Sequence, residues 1–353
     1  MNDTPQDPDD IDLPGAVGRL AYLTENYVPD AVWTVGGAFR YDRELIALAK
    51  YLGAFLKVRQ ITNVMGAPPC LWSLDWFVQR RPLPVERITA RLQEYGRLNV
   101  GVHLVFDNPF LTDADVEDPY GLSLVQALVD DNANRRNAVT VASDKLRNKI
   151  HSLWPKCPVL CHVNRLVAEQ GRRSAQLYNR LLQSGYARVC LHPADAAKPA
   201  LLDGLLAPQR MDAVVNDPCL RTCPVRKDHL RVLAEMRRNT YDVRLMERRA
   251  NLIARTECQK PDPAARRQLA SCNLTHNEIR ALYSRGIRHF LIQSQQFRNE
   301  MTLLCDIFDC MLDQDPAISN KAALIATNSM VHLKPERNQI PTGLGEFSFS
   351  PHE

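Results

Sequence analysis

The sequence predicts an α/β fold: a TIM-like (β/α)8 barrel with a disordered acidic N-terminal tail and a C-terminal appendage. Three observations predict it. Eight short apolar runs alternate with amphipathic stretches of helical period. The runs are apolar at nearly every position, which suits strands buried on both faces of a parallel sheet. Each run also ends in small or polar residues, and barrels of this kind build their active sites at the C-terminal strand ends. A doubly wound open sheet is the second choice. The 353 residues are ample for a barrel of ~250 residues with insertions.

Taken in order, residues 1–28 form the tail. Five aspartates and three prolines fall within residues 1–14, a composition that cannot bury enough apolar surface to fold. The barrel is expected over 29–315. Its first strand is Ala31–Gly37, followed by a helix over Tyr41–Phe55. Leu56–Met65 precedes the helix Val85–Arg97, and Val100–Asp107 precedes Gly121–Val129. Ala138–Ser143 precedes Lys145–Leu153, and Pro158–Val163 precedes Ser174–Gln183. Tyr186–His192 precedes a helix within Ala197–Leu206. Met211–Val215 runs into a Cys-bearing insertion at 216–275 with a polar, Arg-rich helical region. The helix Asn277–Ser284 leads to the last strand, Ile287–Gln293, and to the helix Phe297–Leu312. Residues 316–353 form the appendage, with a short helix signal at Lys321–Thr327.

The polar strand ends supply candidate substrate-binding residues: Asn63, Asp107, Asn108, His162, Asn164, Asn216 and Gln293. His192, at another strand end, is a candidate catalytic residue. The competing reading is that such residues mark strand exits and helix N-caps. That reading is the better one for Ser143-Asp144, where a helix starts at once. For His162, Asn164 and His192 the two readings stand level.

Composition narrows the function. No uncharged run is long enough to span a bilayer, so no membrane partner is expected. The N-terminal stretch lacks the basic-then-apolar order of an export signal, which makes the cytoplasm the expected location. The net charge of +4 is modest for a nucleic-acid partner. Ten cysteines in a reducing compartment favour metal or redox roles over disulfides.

The chemistry centres on residues 214–224, Val-Val-Asn-Asp-Pro-Cys-Leu-Arg-Thr-Cys-Pro. Cys219 and Cys223 follow directly on a strand end. With Cys258 and Cys272 they give C-x3-C-x34-C-x13-C. Four thiolates suit an iron–sulfur cluster or a tetrahedral zinc; the alternative is four ordinary reduced thiols. Cys161, Cys190, Cys305 and Cys310 read as small buried hydrophobes, and Cys70 lies in a loop. Cys157 and Cys161 share the C-x3-C spacing, but Cys157 opens its strand at the far end of the barrel. Arg226 and His229, beside the pair, are candidates to orient a substrate or act as acid and base. Arg221 and Lys227 add positive charge that favours thiolates. The arginines from Arg231 to Arg255 read as a solvated face, with RNA binding as the alternative.

The cadence ASDKL, IHSLWP, CHVN, YNRLL, ARVCLHP, VVNDPCLRTCPVRKDHL and LTHNEIRALYSRGIRHFLIQ resembles TIM-barrel proteins related to the collagenase-like peptidase family. The residues that carry it are Asn216, Cys219, Cys223, Pro224, Arg226 and His229, then Gly286, Phe290 and Ile292. The resemblance spans roughly residues 30–312. It implies a barrel and, as in iron–sulfur members acting in oxygen-independent hydroxylation, a [4Fe-4S] cluster on Cys219, Cys223, Cys258 and Cys272. The chain departs from the family at Gln293-Ser294-Gln295-Gln296 and at Leu71-Trp72-Ser73-Leu74, where Gly-Arg sites are expected. These departures suggest a small-molecule substrate of its own.

The leading expectation is therefore an iron–sulfur-dependent biosynthetic oxidoreductase, hydroxylase-like, with a small-molecule substrate and a partner protein or electron donor. The alternatives are a peptidase-like hydrolase and a non-catalytic metal-bearing module in RNA modification, with zinc in place of iron. Neither a His-Glu-x-x-His helix nor a Gly-x-Ser-x-Gly elbow is present to favour hydrolysis.

Overall fold

Eight parallel strands close on one another in a computed structural model that describes residues 27–55, 61–74, 82–131, 136–169, 173–221, 223–239, 242–256, 271–293 and 300–311. They are β1 (Val32–Gly36), β2 (Ile61–Gly66), β3 (Gly101–Phe106), β4 (Ala138–Val141), β5 (Val159–Cys161), β6 (Arg188–Leu191), β7 (Met211–Val214) and, last in the chain, β10 (His289–Ile292). The order around the barrel is β1-β10-β7-β6-β5-β4-β3-β2. The seam joins first strand to last, with Trp33 opposite Phe290 and Val35 opposite Ile292. The expected (β/α)8 architecture is the one found. The appendage expected at 316–353 and most of the tail expected at 1–28 lie outside the described residues; Tyr27 and Val28, the last two residues assigned to the tail, are instead buried in the main core.

Strand alternation separates two environments. Trp33, Val35, Val102, Leu104, Val189, Leu191, Ala213 and Phe290 face outward into the main core beneath the helices. Their neighbours in sequence face the barrel interior. There Cys190, Val214 and Leu291 pack with Val163 and Met65 as a separate apolar cluster.

Local chemistry sets the helix starts. Asp118 caps the helix Pro119–Asp130, whose first residue is proline. Ser143 caps Asp144–Leu153 by accepting from the Leu146 N–H, as expected. Thr275 and Glu278 form a reciprocal capping box for His276–Ser284. The helix expected within Ala197–Leu206 is there, at Pro199–Leu202, and a second short one, Pro193–Ala196, precedes it. Each opens on a proline, which starts a helix readily but cannot continue one. Among the described residues no helix is long and apolar enough to cross a membrane.

The largest difference from expectation lies in the insertion. Asn216–Leu220 is no irregular loop: it is strand β8, antiparallel to β9 (Ser271–Asn273). Asp217 pairs with Cys272, and the register shifts between Asp217 and Leu220, where Pro218 can donate no ladder hydrogen bond. Between the two strands, the helices Arg226–Arg238 and Val243–Ala254 pack together.

Candidate functional site

The helix Arg226–Arg238 lies over the C-terminal mouth of the barrel, and its two faces do different things. Leu230, Leu233 and Ala234 pack on Leu74 from the loop after β2. Val232 and Met236 pack on Leu252 of the neighbouring helix, with Val225 and Leu245 beside them. Arginines latch the first face to the rim. Arg237 Nε donates to the Cys70 carbonyl at 2.9 Å. Arg238 grips the Asp115 carboxylate through Nε and Nη2 at 3.0 and 2.7 Å. Arg221, just after β8, makes a two-pronged contact with Glu278 at 2.8 and 3.0 Å. Of the arginines from Arg231 to Arg255, expected as a solvated face, Arg237 and Arg238 are thus clamps, while Arg244, Arg248 and Arg255 are exposed.

Beneath this helix a cavity of about 20 Å³ is lined by Asp107, His162, Asn164, Asp217, Cys219, Arg226 and Gln293, with Leu74, Val163 and Leu230 as apolar wall. That volume is room for roughly one water-sized group. Its polar walls are held by hydrogen bonds to backbone. Asp107 Oδ1 accepts from the Leu74 N–H at 2.6 Å, and Asn164 Nδ2 donates to the Asp107 carbonyl at 3.0 Å. Asp217 Oδ1 accepts from the Cys219 N–H, and its Oδ2 accepts from Arg226 Nη2, both at 2.9 Å. The side chains of Arg226 and Asp217 are only 8% and 1% exposed, so this is a desolvated pair.

His162 and His192 resolve the choice between cap and pocket in the same manner. Each follows its strand directly and caps the next helix. His162 Nδ1 accepts from the Asn164 N–H at 3.2 Å, and His192 Nδ1 from the Ala194 N–H at 3.1 Å. His162 lines the cavity as well. Burial pushes the His162 imidazole down to about 3, with Arg226 adding to the effect. Burial, Arg173 and Arg226 do the same to His192, also to about 3.

Other expected site residues lie elsewhere or serve the scaffold. Asn63 does not end its strand: β2 continues three residues to Gly66. Its Nδ2 donates to Thr62, and its Oδ1 sits where a Cβ on Gly101 would come within 2.4 Å. Asn108 spends its amide on loop backbone, donating to the Leu71 carbonyl and accepting from the Phe110 N–H, both at 3.0 Å. Asn216 stitches β8 to the end of β10, donating to the Gln293 carbonyl at 3.0 Å and accepting from its N–H at 2.6 Å. His229 occupies the helix face of Val225, Val232 and Met236, turned toward the neighbouring helix. Burial, then Arg249, takes its imidazole down to about 4. Asp217, which positions Arg226, is the residue missing from the expected set. Its signal was its place beside Asn216 at the strand end.

Cys219 lines the cavity, and both it and Cys223 are half-buried. Cys70, Cys161 and Cys190 are fully buried; burial pushes the Cys70 thiol up to about 12. Of Cys272 the backbone alone is described, and Cys258 lies outside the described residues. The β8–β9 register sets Cys272 opposite Asp217, two residues from Cys219. Among the described residues no three His, Cys, Asp or Glu side chains converge as a metal site.

No protein-family model matches the chain, and no curated protein matches it in sequence. Among solved structures, that of the U32 peptidase Mk0906 superposes with a TM-score of 0.46 at 10% sequence identity, over 76% of this chain and 94% of that chain. The barrel assignment rests on the strand pairing itself.

Proposed function

We propose that the protein is an enzyme that binds a small molecule at the barrel mouth and modifies it by redox chemistry, hydroxylase-like, with a [4Fe-4S] cluster on Cys219, Cys223, Cys258 and Cys272. The observation that carries this reading is the wall shared by Cys219, Asp107, His162 and Arg226. The register of Cys272 beside this wall supports it. When bound, such a cluster supplies one-electron transfer, so an electron-donating partner is part of the reading. Arg226, held by Asp217, orients the substrate through hydrogen bonds. Asp107 and Gln293 fix its other polar groups. Leu74, Val163 and Leu230, under the latched helix, keep bulk water from the reacting group.

A hydrolase is less well served. Its general base works best with a pKa near the operating pH, and the imidazoles of His162, His192 and His229 are held at about 3, 3 and 4.

Anaerobic purification tests the proposal. A brown protein with about four irons per chain is expected, and Cys219→Ser or Cys258→Ser should lose the colour. Recovery of zinc, with unfolding on chelation, would replace the cluster by a structural metal. A folded, colourless, metal-free chain would end the reading.

A further inference from the structure

We propose that His162 and His192 act together as a pair of Nε2–H donors that grip a single carbonyl-type oxygen of the substrate. The inference rests on the barrel mouth being the substrate site and names the chemistry of the group bound there. The two residues terminate β5 and β6, which are neighbours in the barrel. Cys161 and Leu191, the residues just before them, face the outer core. Cys190 belongs to the inner apolar cluster. Alternation therefore turns both imidazoles toward the barrel interior; His162 lines the cavity, and the register sets His192 diagonal to it, two residues further toward the mouth.

The backbone fixes their tautomer. In each ring Nδ1 is the acceptor for the N–H two residues on, so a neutral ring must carry its proton on Nε2. A second proton would have to sit on Nδ1, which already faces a backbone N–H, so the same geometry keeps each ring neutral. No protein acceptor among the described residues pairs with either Nε2. The result is two fixed donors on adjacent strand ends, neither carrying a full charge.

A carbonyl oxygen has two lone pairs and accepts two such bonds. It also becomes more basic as negative charge develops on it, and preorganised donors stabilise that charge. A carboxylate or phosphate fits less well, since the two rings are neutral donors and the cavity's arginine, Arg226, is already paired with Asp217. A donor-only cation has nothing to offer the two N–H groups.

The test uses the full chain labelled with 15N-histidine, and long-range proton–nitrogen correlation to read each ring's tautomer. His162→Asn and His192→Asn assign the signals, and asparagine keeps a good N-cap at each site. Both rings should show the Nε2–H tautomer. Acetamide, as the carbonyl probe, should shift both Nε2 signals along one saturation curve, and His162→Asn should weaken the effect on His192 several-fold. Guanidinium should move neither. An Nδ1–H tautomer at either ring would overturn the proposal. So would separate acetamide curves, or acetate shifting the pair where acetamide does not. The readout needs no iron, so a chain without a cluster but with responsive rings would sink the cluster and leave the donor pair standing.

Discussion

The barrel interior carries two polar zones built from the same residue types, one at the mouth and one at the floor. The apolar cluster of Met65, Cys190, Val214 and Leu291 lies between them. At the floor, Arg188 Nε donates to Asp212 Oδ1 at 2.8 Å. His289 lies in register with Asp212, and His103 is 2% exposed nearby. At the mouth, Arg226 pairs with Asp217 at 2.9 Å, beside His162. Each zone thus has one arginine–aspartate pair and neutral histidines. What differs is where the remaining hydrogen-bonding capacity goes. The mouth groups are pinned by backbone N–H and carbonyl groups and line a cavity. The floor groups look inward at one another. In barrels the C-terminal end carries chemistry and the N-terminal end carries stability, and here that division can be read from hydrogen-bond partners.

Acid should affect both zones, and it is the largest effect expected. His103, His162 and His192 are held at about 3 and His229 at about 4, in each case first by burial. An unfolded histidine titrates near ~6.5. Below that pH the unfolded state takes up protons that the folded state refuses, so stability is full above it and falls as pH drops. At pH 5 a fully buried ring such as His103 costs about 2 kcal/mol, and the less buried His229 costs less. Urea denaturation at pH 7.5 and pH 5 reads this directly. His103→Gln should remove one share from the floor and His162→Asn one from the mouth; equal stability at the two pH values would contradict the burial of these rings.

The two ion pairs separate the zones. Asp212→Asn leaves Arg188 short of its partner, at a cost of about 3 kcal/mol. It should leave ligand binding at the mouth unchanged. Asp217→Asn should cost a similar amount, because its pair is at least as buried. It should also loosen Arg226 and abolish substrate turnover. If Asp212→Asn lost binding as well, the two zones would be coupled through the apolar cluster and the division drawn above would fail.

The strands were legible because buried parallel strands are apolar at almost every position, as in Val139–Val141 or Phe290–Ile292. The convergence of Asp107, His162, Asn164, Cys219, Arg226 and Gln293 followed from one rule, that strand ends meet at the mouth. That rule fails wherever the end of a strand is misjudged: Asn63 sits mid-strand because β2 runs on through Val64-Met65-Gly66. It fails again where a side chain is consumed locally, as Asn108 is by its loop. His229 shows a third limit. Its distance from Arg226 is close to one helical turn but short of it, and Val225, Val232 and Met236 mark its face as the other one. The β8–β9 pairing left no local trace, because Asp217 meets Cys272 across 55 positions of sequence.

The smallest effect concerns the floor alone. Thr34 is fully buried, and its Oγ1 has no protein partner among the described residues; the same holds for Asn63 Oδ1, His289 Nδ1 and Arg188 Nη2. Thr34 and Asn63 are in register on adjacent strands, and Gly101, next in register, leaves space at Asn63 Oδ1. An acceptor-only amide oxygen and a donor-only guanidinium nitrogen can both be satisfied by a molecule that donates and accepts, and internal water is the common one. Thr34→Val removes the hydroxyl at nearly constant volume. With water bound there, the variant should lose about 1 kcal/mol. A dry floor would respond in the opposite direction, because an unsatisfied hydroxyl would be exchanged for a methyl group in an apolar site. The sign of that one change, measured by urea denaturation at pH 7.5, therefore decides whether the floor is a solvated counterpart of the mouth or a strained, dry core.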